Sequence, residues 1–347
     1  MSPVNYQQFI LVATVYASIR RLVQTLILGV LASGFAGSSL AADQVKVRLD
    51  FLPYGLHAPF YLAKEKGWFI EQGLDVDIED GNGTGPALAL IAGGKYDIAH
   101  ISLGALPIAR DKGMPVKAIA AILRKGDFGL VVDEAGSIKT PKDLEGKTIL
   151  YSPGSVETPF IDAYFQQAGV DKSKVNLVSV DVGAKIASYM SGKGDGMFAP
   201  VSLYTLKGIT PRASRAMLLS DHNIELPGFG LAASEETLAK RPKVISNFVA
   251  VFQRAWIAIH SGGAIDEAVA ALIKNRPQAK LSPIVMKAQI ESVYPYLVSK
   301  ASQGRPMLWM APADWAATAK IMESVKLIKA GTVPESIFTN AFVPQGK

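Results

Sequence analysis

From Val45 onward, short apolar runs with strand alternation take turns with segments of helical period, and this pattern limits the chain to few folds. Val45–Phe51 reads Val-Lys-Val-Arg-Leu-Asp-Phe, an alternation of period two, while Pro59–Lys66 is rich in helix formers and stops at Gly67. Leu74–Ile78 alternates again. After the glycine-rich Gly81–Gly85, a helix over Pro86–Ala92 has proline near its first turn and Gly93-Gly94 as its stop. Ile98–Ile101, a helix near Leu106–Lys112 and the run Val116–Leu123 extend the series. Strands alternating with helices of roughly 8 to 15 residues specify an α/β lobe around a mostly parallel sheet.

The alternation breaks at Arg124-Lys-Gly-Asp-Phe128, where Val116–Leu123 and Leu130–Val132 follow one another with no helix between. A second α/β series then runs through strands at Thr148–Tyr151, Val175–Val180 and Met197-Phe198, with helices at Pro159–Ala168 and Ala184–Ser191. Another strand near Gly228–Ala233 precedes the helical segments Val244–His260, Ile265–Asn275, Pro283–Leu297 and Pro312–Lys326. Breaks near 124–128 and 220–228 predict a lobe inserted between two halves of another. Residues 42–124 with 226–347 form lobe I, and residues 125–225 form lobe II. A length of 347 residues accommodates two such units.

Residues 1–41 differ from all that follows. Arg20 and Arg21 are their only charges, the apolar run Leu22–Val30 comes next, and Ser39-Leu-Ala41 places small residues where a signal peptidase reads. This predicts a signal peptide cleaved near Ala41; the alternative is a retained anchor, against which the apolar core is shorter than the ~20 residues of a spanning helix. Cleavage takes the 36 Lys+Arg to 34 against 30 Asp+Glu, so the net charge falls from +6 to +4. The basic residues are scattered, which argues against a nucleic-acid partner. The absence of cysteine excludes disulfides, Cys-ligated zinc, iron–sulfur clusters, a thiol nucleophile and a cysteine-linked lipid. His57, His100, His222 and His260 show neither H-E-x-x-H nor H-x-x-E-H spacing, so no metal site is expected.

Asp50-Phe-Leu-Pro-Tyr-Gly-Leu-His-Ala-Pro-Phe-Tyr61, followed by Ala63–Phe69 and Gly73-Leu-Asp-Val76, resembles the opening of the thiamine-precursor-binding and sulfonate/nitrate/taurine-binding proteins of ABC importers. The resemblance continues through Gly94–Ile98, Lys112–Val116, Asp143–Lys147, Ser191–Asp195 and Phe338–Phe342, nearly the whole chain after residue 41. It implies the periplasmic-binding-protein type II fold, two α/β lobes joined by two crossing strands with a ligand cleft between them. It also implies a periplasmic, monomeric solute receptor that delivers a small molecule to a permease and ATPase at the inner membrane, with no cofactor and no catalysis. The synthase branch of the thiamine-pyrimidine family looks dependent on a cysteine-rich stretch, which this chain lacks. A receptor that feeds a membrane kinase is the other non-catalytic option.

Ligands of α/β sheets sit at the carboxyl ends of strands, which points to particular residues. Phe51 and Tyr54, at the end of the first strand, either stack on a planar solute or serve as core and loop. His57 offers an imidazole in the turn before the helix, and Phe60 a further π-face; His100 reads as a buried, satisfied histidine. Ser102 opens a strand-end loop that faces the cleft in the resembled family. Ser152, Gly154 and Ser155 precede a helix with Thr158 as its expected cap, where hydroxyls and free N–H groups suit a carboxylate or ring carbonyl. Glu157 would oppose an anionic ligand if it faced inward, and outward is the commoner orientation. Phe198 and Phe229 add aromatic faces, and Arg124 is a cation for a solute anion or a hinge residue. In pyrimidine-binding relatives an acid follows shortly after the position of Phe198; here Ala199-Pro-Val-Ser202 follows instead. The expected solute is therefore small, planar and aromatic or heteroaromatic, with a carboxylate preferred over an aminopyrimidine and an alkylsulfonate as the alternative.

Overall fold

The computed structural model describes residues 42–345 apart from Gly154; the expected signal peptide lies outside the described residues. The described residues contain ten strands in two sheets. The first contains β1 (Asp43–Arg48), β2 (Leu74–Glu79), β3 (Ile98–Ser102), β4 (Val116–Ala121) and β10 (Phe229–Ser234), in the order β2-β1-β3-β10-β4. The second contains β5 (Phe128–Asp133), β6 (Thr148–Tyr151), β7 (Asn176–Ser179), β8 (Gly196–Pro200) and β9 (Ser214–Leu218), in the order β7-β6-β8-β5-β9. Edge strand β2 buries Leu74, Val76 and Ile78 and exposes the acids between them, whereas β3, inside the sheet, is buried at all five residues.

Both sheets are mixed, where the alternating pattern predicts mostly parallel ones. β1 pairs in parallel with β2 and β3, but β10 runs antiparallel to β3 and β4. The second sheet repeats this: β6 is parallel to β7 and β8, and β5 is antiparallel to β8 and β9. The antiparallel members β5 and β10 are the strands that arrive directly from the other sheet. A parallel neighbour needs a helical crossover, and these two have none. Strand β9 has no counterpart in the sequence pattern; its Ser-Arg-Ala-Met-Leu has neither alternation nor β-branched residues.

The longer helices are α1 (Ala58–Glu65), α2 (Thr84–Ala92), α3 (Ile161–Gln167), α4 (Val182–Met190), α5 (Pro242–His260), α6 (Ile265–Asn275), α7 (Pro283–Ser292) and α8 (Pro312–Ser324). In α5, Ile245, Phe248, Phe252, Ala255, Trp256 and Ile259 recur at helical spacing and are buried. Phe60 of α1 packs into this face, its ring 4.4 Å from that of Phe252. Among the described residues no helix is long and apolar enough to cross a membrane.

The two segments that cross between sheets lie against each other. Gly228 N–H donates to Leu123 O at 2.9 Å, and Ile122 and Leu123 N–H both donate to Phe229 O. A Cβ on Gly126 would lie 2.4 Å from Leu226 O, and one on Gly228 would lie 2.6 Å from the Leu123 Cβ. At either position a side chain would force these neighbours to shift.

Candidate functional site

A cavity of about 490 Å³ lies between the sheets. From the first sheet it receives Asp50–Tyr54 after β1, Asn82–Thr84 after β2, and Ser102 at the end of β3, all at carboxyl ends of parallel strands. From the second it receives Ser155–Glu157 after β6, Ala199-Pro200 at the end of β8, and Lys185 of α4. Phe128 and Phe229, which begin the two arriving strands, form the back wall, their rings 5.9 Å apart. Tyr204 and Gln289 complete the rim. Gln289 also fixes the turn after Tyr54, because its Oε1 accepts the Gly55 N–H at 2.9 Å.

The floor is a buried polar cluster. Asp50 Oδ1 lies 2.9 Å from His57 Nε2 and 2.6 Å from His100 Nδ1, and the Tyr54 hydroxyl donates to Oδ2 at 3.2 Å. Burial pushes the Asp50 carboxyl up, but the two imidazoles outweigh it and hold the group well below the usual carboxylate range. An ionised carboxylate only accepts, so His57 carries its proton on Nε2 and His100 on Nδ1. His57 Nδ1 and His100 Nε2 are then left buried without partners. Burial lowers the His57 pKa, which keeps that ring neutral. Burial and then the Asp50 charge raise the Tyr54 hydroxyl above the ordinary phenol range. Rings extend from this cluster: Phe229 stacks on His100 at 5.6 Å, and Tyr54 meets Phe229 at 6.3 Å.

The opposite wall carries a buried ion pair. Lys185 Nζ donates to Glu157 Oε1 at 2.8 Å and to Phe198 O at 2.7 Å. Deeper in, Asp127 accepts the Ser202 hydroxyl on Oδ2 and leaves Oδ1 without a partner, and burial pushes its carboxyl up to about 6.

Phe51, Tyr54, Ser102, Ser155 and Phe229 thus line the cavity together. His57 does not: Tyr54 covers it, ring to ring at 4.1 Å, and it is fully buried. Phe60 also lies off the lining, because helical spacing turns it into the α5 interface. Phe198 packs between Tyr164 and Phe165 and presents only its carbonyl to Lys185. Ser152 is buried away from the cavity, and Gly154 lies outside the described residues. The expected donor loop is closed on itself. Ser155 N–H donates to Ser152 O, Thr158 N–H to Ser155 O, and the Thr158 hydroxyl to Ser152 O instead of capping. Arg124 is committed to the carbonyls of Leu297, Ser302 and Pro306. His100 is buried as expected but satisfied on one nitrogen only.

The charged residues of the lining are two acids, Asp50 and Glu157, and one cation, Lys185. Glu157 faces inward because Lys185, 28 residues later, neutralises it there; its sequence neighbours do not reveal that partner. Asp50 stands in the strand-end motif and attracts no attention without the two histidines that the fold brings to it, seven and fifty residues away.

Residues 55–262, more than half of the chain, match the model of the family described as NMT1/THI5 like. The chain belongs to the NMT1/THI5-like family. The formylaminopyrimidine-binding protein of Halalkalibacterium halodurans is 24% identical over 311 residues, 88% of this chain and 92% of that relative. A 4-amino-5-hydroxymethyl-2-methylpyrimidine phosphate synthase of Saccharomyces cerevisiae is 26% identical over 233 residues, 62% of this chain and 67% of the relative. Among solved structures, the alkanesulfonate-binding protein of Xanthomonas axonopodis pv. citri bound to MOPS aligns with a TM-score of 0.64 at 14% identity, over 87% of this chain and 99% of that one. That likeness, with the two mixed sheets and their two crossings, gives this family member the two-lobe type II fold of periplasmic binding proteins.

Proposed function

We propose that the protein is the solute-binding component of an ABC-type importer. It captures a small planar heteroaromatic solute that bears N–H donors and hands it to a membrane permease. The observation that carries this is the cavity itself: aromatic faces at Phe51, Tyr54, Phe128 and Phe229 surround an ionised Asp50 whose Oδ2 has acceptor capacity left. A relative named for formylaminopyrimidine supports the same class. The preference for a carboxylated solute is withdrawn on physical grounds. Asp50 and Glu157 both line the cavity, and Lys185 is already engaged by Glu157 and Phe198 O, so a second carboxylate would meet net negative charge. The same charge argues against an alkylsulfonate. Closure of the lobes would bury the solute from both sides and present the closed form to the permease. We infer a periplasmic monomer that binds without catalysis, supported by the lack of cysteine and the export-like N-terminus.

A thermal-shift and calorimetric panel on residues 42–347 tests this with aminopyrimidines, aromatic carboxylates and alkylsulfonates. A ligand at about 100 times its Kd stabilises by about 2.7 kcal/mol. Stabilisation by aminopyrimidines alone, with the solute recovered unchanged, is the expected outcome; stabilisation by sulfonates alone, or turnover of the solute, refutes the proposal.

A further inference from the structure

Asp50, His57 and His100 bring together one carboxylate and two imidazoles whose donor atoms all lie within 4.8 Å of one another, each residue buried. We propose that this cluster is a binding site for a divalent transition-metal ion of the zinc type at the floor of the cleft. Neutral imidazoles with a carboxylate are the donor set such ions take, and three protein donors leave a further position open.

The geometry asks for little rearrangement. Donors of a tetrahedral site with bonds of about 2.0–2.1 Å stand about 3.3 Å apart. The carboxylate now lies 2.9 Å from His57 Nε2 and 2.6 Å from His100 Nδ1, so it separates from each imidazole by less than an ångström to admit an ion, while the two imidazole donors stand within 4.8 Å of one another. Each imidazole shifts its proton to the nitrogen that is now unpartnered, His57 Nδ1 and His100 Nε2, and turns a lone pair toward the metal. The net charge of the three residues is unchanged by that shift. Asp50 and Tyr54 line the cavity, so the cluster borders the solute space through the carboxylate, with the Tyr54 ring over His57. The Tyr54 hydroxyl, 3.2 Å from Asp50 Oδ2, orients the carboxylate. Sequence spacing hides this site, since no pair of the three stands at the intervals of the helical zinc motifs.

The site shares Asp50 with the solute cavity and so rests on that reading of the cleft, but an ion can bind there with no solute present, and it is tested without one. Metal-stripped protein over residues 42–347 is titrated with zinc alone. One zinc per chain is expected, with H57Q and H100Q each weakening it at least tenfold, a loss typical even of outer-shell changes. X-ray absorption on the zinc-loaded wild type guards against variants that misfold: two imidazoles and one oxygen ligand are expected at about 2.0–2.1 Å. Binding below one equivalent, one imidazole or none in the absorption spectrum, or full affinity in H100Q overturns the proposal, the last because the ion would then be held elsewhere.

Discussion

Among the described residues no cation pairs with Asp127, and that makes its replacement informative. It sits at the end of the first crossing, fully buried, with its backbone carbonyl accepting Val201 N–H at 2.7 Å and its Oδ2 accepting the Ser202 hydroxyl. Burial, partly offset by the Ser202 bond, raises its carboxyl from 3.8 to about 6. Below pH 3.8 the folded and unfolded chains both hold this proton and nothing is lost. Between that pH and about 6 the unfolded chain ionises first, so the unfolded state binds fewer protons and stability falls as pH rises. Above about 6 the loss is complete. The gap from 3.8 to about 6, at 1.36 kcal/mol per pH unit, amounts to about 3 kcal/mol. Asp127→Asn keeps the backbone bond and an acceptor for Ser202 but cannot ionise. Urea unfolding of both proteins from about pH 3.5 to 8 should therefore give a stability difference that grows in the variant's favour, by up to about 3 kcal/mol, and then levels off. Taking the difference cancels the opposite trend from Asp50, whose depressed pKa makes its contribution vanish only in strong acid. A difference that stays flat across this range would refute the argument.

Further outcomes follow from the cavity walls. Lys185→Met leaves Glu157 buried without its partner and should cost about 3–5 kcal/mol by urea unfolding, whereas the double variant with Glu157→Met should recover most of that loss. Phe60→Ala and Phe51→Ala separate core from site: the first should lose about 3–5 kcal/mol of stability with solute affinity nearly intact, the second should weaken solute binding in calorimetry with little change in melting. Gly126→Ala drives a Cβ toward Leu226 O and should destabilise by about 1–3 kcal/mol, read in the same urea assay.

The architecture was largely legible in the chain. Period-two runs mark β1 and β2, because burial of one face imposes its period on the residues, short apolar runs mark β3 and β4, and helical period marks α5 and α6. What escaped was set by partners distant in sequence. The antiparallel entry of β5 and β10 depends on where a strand is delivered, not on its own residues. Strand β9 is held at an edge by pairing with β5, and Ser-Arg-Ala-Met-Leu has no signature of its own. The site divides the same way. Phe51, Tyr54, Ser102, Ser155 and Phe229 stand at strand ends, where a rule of α/β folds predicts ligands, and they line the cavity. Phe60 and Phe198 have the right chemistry but packing points them elsewhere, and Asp50 and Lys185 acquire their roles from His57, His100 and Glu157, which no local pattern connects to them.

Two ribbons joined at one line of contact have fewer ways to move than two separate ones. Gly126 rests on the Leu226 carbonyl, and Gly228 is tied to Leu123, so neither crossing can twist without dragging the other. Shear and independent rotation would break these contacts, whereas bending about their common line would keep them. If the proposed closure bends about that line, it follows one path, and Asp50 on one side and Glu157 on the other would approach a solute in fixed registration and not by search.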